Sequence, residues 1–270
     1  REFSFRGFGS LAEESWSVGL TELELLDIDL GQWTLESEVQ INANTSDILI
    51  SPLCLQNNPS RFCAQGRYQL TRDFELAANS SNLELSLFKP LYSQALELEG
   101  SISGDLRLTS LAGEQRGVIQ VEADRLSLIH QSPDGPQIHN FSDLSASGQI
   151  NGPRVAFDFS SILGNLGSLS GDIDFPFRGD SEEISGQISA QIEQLSWLDP
   201  FIPSISDLNG TLQTELRIGG NLSEPVLEGD LDFSDIQAYL PELGIDLSEG
   251  QLSLQNTAPG RWLVESRLRS

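Results

Sequence analysis

Leu96 to Leu108 reads LELEGSISGDLRL. Leu96, Leu98, Ile102, Leu106 and Leu108 share one parity, while Glu97, Glu99, Ser101, Ser103, Asp105 and Arg107 take the other. Successive side chains of a β-strand point to opposite faces, so this alternation predicts a strand with one oily face and one wet face. The same period returns at Ile184, Ile188, Ala190 and Ile192, opposite Ser185, Gln187, Ser189 and Gln191. It returns again at Leu212, Leu216 and Ile218, and at Leu227, Leu231 and Phe233 against Glu228, Asp230 and Asp232. Trp33, Leu35, Val39 and Ile41, then Leu83, Leu85 and Leu87, then Val155, Phe157 and Phe159 extend it toward the start of the chain. Strands are therefore expected over almost the whole length, and the fold class is all-β.

Gly100, Gly104, Gly148, Gly186 and Gly229 interrupt these runs without changing their parity, which predicts a sheet that bends or bulges tightly. The clusters SPDGP at Ser132 to Pro136 and GGNLSEP at Gly219 to Pro225 read as connections between strands. SLFKPLYSQA from Ser86 and SWLDPFIPSI from Ser196 break the alternation, and each suits a short helical turn because proline is excluded from a central strand. Placing Ser86 on Ser196, an offset of 110 residues, also aligns Pro90 with Pro200, Gly100 with Gly210, Leu106 with Leu216 and Arg107 with Arg217. That match predicts one repetitive architecture over residues 1–270, with units at about 86–195 and 196–270.

Lysine and arginine number 15 against 40 acidic residues, a formal net charge of −25. Such a surface repels nucleic acid and anionic membranes, so a nucleic-acid partner is not expected. The 38% hydrophobic content in regular spacing is sufficient for a folded sheet. The sequence opens at Arg1 and contains no methionine, which suggests a segment of a longer protein. No run approaches the ~18 apolar residues of a membrane-spanning helix, so any anchor is expected outside this segment.

Cys54 and Cys63 flank the turn-forming Asn57, Asn58, Pro59 and Ser60. A hairpin would bring them together as a disulfide, which hints at an oxidising compartment; two buried free thiols are the alternative, and further zinc ligands are not evident nearby. His130 and His139 flank the Gly135 loop without any accompanying nucleophile or metal motif, and read as loop residues. The Asp-x-Asp pairs Asp27/Asp29, Asp172/Asp174 and Asp230/Asp232 lie on wet parities without the spaced ligands of a calcium loop. No catalytic residue, metal site or cofactor is expected.

The stretches LCLQNNPSRFCAQGRYQL from Leu53, SWLDPFIPSISDLNGTLQTELRIGG from Ser196, and NLSEPVLEGDLDFSDIQAYLPELGIDLSEGQLSLQ from Asn221 resemble the TamB family. The likeness is strongest from about Leu195 to Leu254, and resembles the repeats leading toward the family's C-terminal conserved region. It implies a Gram-negative periplasmic protein anchored in the inner membrane, built as an elongated U-shaped β-groove with a hydrophobic interior and short helical connectors. It further implies phospholipid acyl chains as ligand, a TamA-like outer-membrane barrel of the BamA family as partner through regions outside this segment, and a role in outer-membrane biogenesis. On this reading the lipid-lining residues are Leu96, Leu98, Ile102, Leu106, Leu108, Ile184, Ile188, Ile192, Leu212, Leu216, Ile218, Leu227, Leu231 and Phe233. Two alternatives stay open: a chaperone-like groove for outer-membrane protein assembly, and a structural β-sandwich or β-helix of a surface adhesin, since a closed sandwich core yields the same alternation.

Overall fold

The computed structural model describes residues 2–12, 14–27, 31–91, 96–132, 135–176, 182–196, 198, 202, 204–258 and 261–269. Strands dominate these residues, they are antiparallel wherever register is defined, and the only helical pieces among them are short 3-10 turns. The chain divides into two compact units: Arg1–Leu126 with Ala146–Pro153, and Ser127–Ser145 with Arg154–Ser270.

The first unit holds β1 (Glu2–Ala12), β2 (Ser15–Asp27), β3 (Gly31–Leu35), β4 (Val39–Asn44), β5 (Asp47–Asn57), β6 (Ser60–Gln69), β7 (Phe74–Glu84) and β8 (Leu96–Leu111). They form an up-and-down meander in which β2 pairs with β1, β3 and β4, then β5, β6, β7 and β8 follow in turn. The 3-10 turn Leu85–Leu91 joins β7 to β8, where the sequence broke its alternation around Pro90. β9 (Glu114–Ser132) and β10 (Gly135–Asn151) contribute residues to both units.

The second unit continues with β11 (Arg154–Ile162), β12 (Gly167–Pro176), β13 (Ser185–Ile192), β14 (Ser206–Gly220), β15 (Pro225–Leu240), β16 (Ile245–Ala258) and β17 (Arg261–Arg269). Each pairs with the next. The expected connection before Pro225 is a tight turn in which Asn221 Oδ1 accepts the Glu224 amide at 2.7 Å. Of the second expected helical connector, Ser196 and Leu198 lie in a 3-10 turn, while Trp197, Asp199, Pro200, Phe201 and Pro203 fall outside the described residues.

Parity behaves differently from the sequence expectation. Asn82, Asp143, Asp235 and Glu249 adopt φ between 51° and 54°, and at each the apolar positions switch between odd and even numbering. In β15 the apolar set runs Leu227, Leu231, Phe233 and then Ile236, Ala238, Leu240, with the register against β16 shifting between Phe233 and Ile236. A bulge inserts one unpaired residue, so the chain keeps its oily side chains on one face by changing their numbering.

Gly229, one of the glycines expected at a bend or bulge, sits where its neighbour strand comes very close. Gly229 has φ of 139°, and a Cβ there would stand 2.1 Å from the Glu215 carbonyl oxygen on β14. Only a residue without a side chain permits that approach.

Candidate functional site

Cross-strand partners in an antiparallel sheet present their side chains on the same face, so the register shows which residues stand together. In the second unit Phe157 faces Ile173, Ile173 faces Gly186, Gly186 faces Ile218, and Ile218 faces Leu227. The next row runs Phe159, Gly171, Ile188, Leu216, Gly229. A third passes Leu169, Ala190, Thr214, Leu231 and Leu254, and a fourth Gly167, Ile192, Leu212, Phe233 and Leu252. None of these positions carries a formal charge.

The opposite face of the same strands is polar. Asp172 stands by Gln187, Gln187 by Arg217, Arg217 by Glu228; Glu215 stands by Asp230, and Asp230 by Gln255. Ser253 donates its hydroxyl to Asp232 at 2.7 Å, and Arg154 pairs with Asp174. The Asp-x-Asp pairs of β12 and β15 thus sit on the wet side, while Asp29 lies outside the described residues.

The first unit repeats the division. Leu108 faces Leu76, which faces Gly66, then Ile50, Ile41 and Val18. Leu106 faces Ala78, then Ala64 and Leu53, and Ile102 faces Leu83. Leu98 is half-buried, and the side chain of Leu96 lies outside the described residues. On the other face are Arg107, Glu75 and Arg67, the last of these 3.5 Å from Asp47.

These apolar rows are not sealed. Trp16, Ile50, Phe62, Tyr68, Leu76 and Leu227 are each between 37% and 43% exposed, and most of the remaining lining is half-buried. Contiguous exposed apolar surface of this kind marks an interaction site more often than a passive exterior. Ile184 differs from the other expected lining residues: it precedes β13, outside any strand, and is buried. Ile192 belongs to a dry cluster with Leu163, Leu166, Leu195, Leu208 and Ala238, against which Leu212 and Phe233 pack.

Cys54 and Cys63 are cross-strand partners on β5 and β6 and are joined by a disulfide. They stand on the polar parity, covered by Arg61, whose guanidinium donates to Cys54 Sγ at 3.4 Å and pairs with Glu36 at 2.8 Å. Glu36 and the two sulfurs are the one group with metal-ligand spacing among the described residues, and both sulfurs are engaged in the disulfide. His139 lies inside β10 and is buried, a correction to its reading as a loop residue: β9 and β10 reach to Ser132 and Gly135, so the connection is shorter than the SPDGP cluster implied. The His130 side chain lies outside the described residues.

The bulge residues are what sequence reasoning missed, although a signal was present. Ser81-Asn82-Leu83, Ser142-Asp143-Leu144, Ser206-Asp207-Leu208 and Ser234-Asp235-Ile236 share a serine, a short acid or amide, and an aliphatic residue, and the middle residue has positive φ each time. Asn and Asp tolerate that conformation better than other side chains do.

No solved structure matches this chain. The translocation and assembly module subunit TamB of Haemophilus influenzae is 26% identical over 112 residues, which make up 42% of this chain and 9% of that protein. The match therefore covers a small fraction of the relative's length. The sequence model described as TamB, N-terminal domain, matches residues 2–233. That description corrects the expected position near the C-terminal conserved region: strand repeats under one burial rule look alike wherever they occur, so their local pattern reports the architecture and not the address. With most of its length matched by that model, the chain belongs to the TamB family.

Proposed function

We propose that the apolar face of each unit binds phospholipid acyl chains, as part of a curved β-groove through which lipid moves between the inner and outer membranes. The observation that carries this reading is the set of uncharged cross-strand rows left partly exposed, backed by a charged opposite face. Removing a sixteen-carbon chain from water is worth about 12 kcal/mol at ~0.8 kcal/mol per methylene, and a continuous oily surface recovers much of it without any catalytic group. The partial exposure favours an open surface over a closed sandwich core.

The family and the relative's name support a place in a translocation and assembly module. On this reading the full-length protein is anchored in the inner membrane, spans the periplasm and works with a TamA-like outer-membrane barrel. The repeat belongs to the same proposal: β8 and β14 start at Leu96 and Ser206, and Gly100 and Gly210 in them both have positive φ, in keeping with a unit of connector and strands used more than once.

Photo-crosslinking residues at positions 106, 216 and 227, compared with 107, 217 and 228, test the reading in the full-length protein in cells. Lipid adducts are expected at the first set and not the second. Equal adducts on both parities, or none, would leave only a β-scaffold.

A further inference from the structure

The apolar face of the second unit changes character along its strands. At one end, Leu163, Leu166, Ile192, Leu195, Leu208 and Ala238 form a cluster in which none exceeds 8% exposure, and Leu195 retains 1%. Leu198, Ile202 and Ile205, from the segment between β13 and β14, pack against that cluster together with Leu212 and Phe233. One backbone bond ties the start of this segment to the β11–β12 connection, the Glu193 amide donating to the Leu166 carbonyl at 2.6 Å, and two turns within it are closed by Leu198 donating to Leu195 at 2.9 Å and Ile205 to Ile202 at 3.0 Å. Toward the other end of the strands, the row of Ile188 and Leu216 and the row of Ile173, Ile218 and Leu227 take no part in the cluster; they are half-buried or, at Leu227, exposed.

We propose that Leu195, Leu198, Ile202 and Ile205 act as a stopper that confines acyl chains in the second unit to the Ile188–Leu216 and Ile218–Leu227 rows. This rests on the groove reading above and adds to it where on the face a chain lies. Interiors packed at crystal-like density have no space for an additional alkyl chain, so the sealed end at Ile192, against which Leu212 and Phe233 pack, excludes one while the cover stays seated. Leu195, Leu198, Ile202 and Ile205 thereby set one side of the lipid path.

The test uses the full-length protein in cells, with a photo-crosslinking residue at position 188 or 216 and, separately, at 212 or 233, both of which pack against the cluster. Lipid adducts are expected to be several-fold more abundant at 188 and 216 than at 212 and 233. Trimming the cover by Leu198→Ala with Ile202→Ala, which leaves the deeply buried Leu195 intact, is expected to raise the yield at 212 toward that at 216, with unchanged circular dichroism. Equal yields at all four positions in the untrimmed protein overturn the stopper and leave the groove standing. Absence of adducts at all four removes both.

Discussion

At the scale of single residues, the glycines show how little room paired strands leave at some positions and how much at others. A methyl at Gly229 meets the Glu215 carbonyl oxygen at 2.1 Å, at a φ of 139° that L side chains rarely adopt. Gly219, ten residues earlier on β14, has nothing within 4 Å of the same built atom. Gly229→Ala is therefore expected to lower stability by about 3 kcal/mol, the range of strained backbone and steric overlap combined. Gly219→Ala is expected to stay within about 0.5 kcal/mol. Urea unfolding of the two variants side by side checks this, and equal midpoints would mean the strands relax around Gly229. The position of Gly229 was legible in the sequence because it interrupts an alternating run. The positive φ of Asp235 was not, since Ser234-Asp235 looks like ordinary wet-face composition until the register with β16 is known.

At the scale of elements, the β5–β6 hairpin is clamped by the Cys54–Cys63 disulfide on the polar face. The bond closes a loop of about ten residues, for which the chain-entropy estimate gives roughly 2 to 3 kcal/mol. Reductant is expected to lower the melting temperature of the native protein, whereas Cys54→Ser with Cys63→Ser should melt lower from the start and ignore reductant. A native melting curve unmoved by reduction would show that the hairpin's own pairing suffices. The sequence pointed to a hairpin from Asn57 to Ser60, and left disulfide and free thiols as alternatives because proximity of two strands does not state which residues are opposite. The register that makes Cys54 and Cys63 direct partners is set by the turn that places Asn57 opposite Ser60, and it runs unbroken as far as the shift between Ile50 and Leu53.

At the scale of the whole molecule, the formal charge is −25, and in the second unit Asp172, Arg217, Glu228, Glu215 and Asp230 stand on the face opposite the apolar rows. Among the described residues of the second unit, the four apolar rows carry no cation or anion that could hold a headgroup. On the proposed groove reading, retention is then set by the tails. Phospholipids with the same tails and different headgroups, zwitterionic or anionic, are expected to compete for the full-length protein within about three-fold of one another, under ~0.7 kcal/mol. Native mass spectrometry of the protein loaded from mixed micelles reads this directly, and strong preference for one headgroup would place a polar site that the rows do not contain.

The sequence by itself determined the all-β class, the two-faced strands, the family, and the identity of most residues on the oily parity. These follow from one local rule, alternation against solvent, which each strand obeys independently of its neighbours. Only the tertiary structure decided which oily residues stay open and which are sealed. Ile188 and Ile192 are indistinguishable along β13, yet Ile192 is 3% exposed under Leu195 while Ile188 is half-buried in an uncovered row. Burial depends on what residues outside the strand lay across it, and on bulges that move the apolar set from one parity to the other; neither is a property of the strand's own alternation.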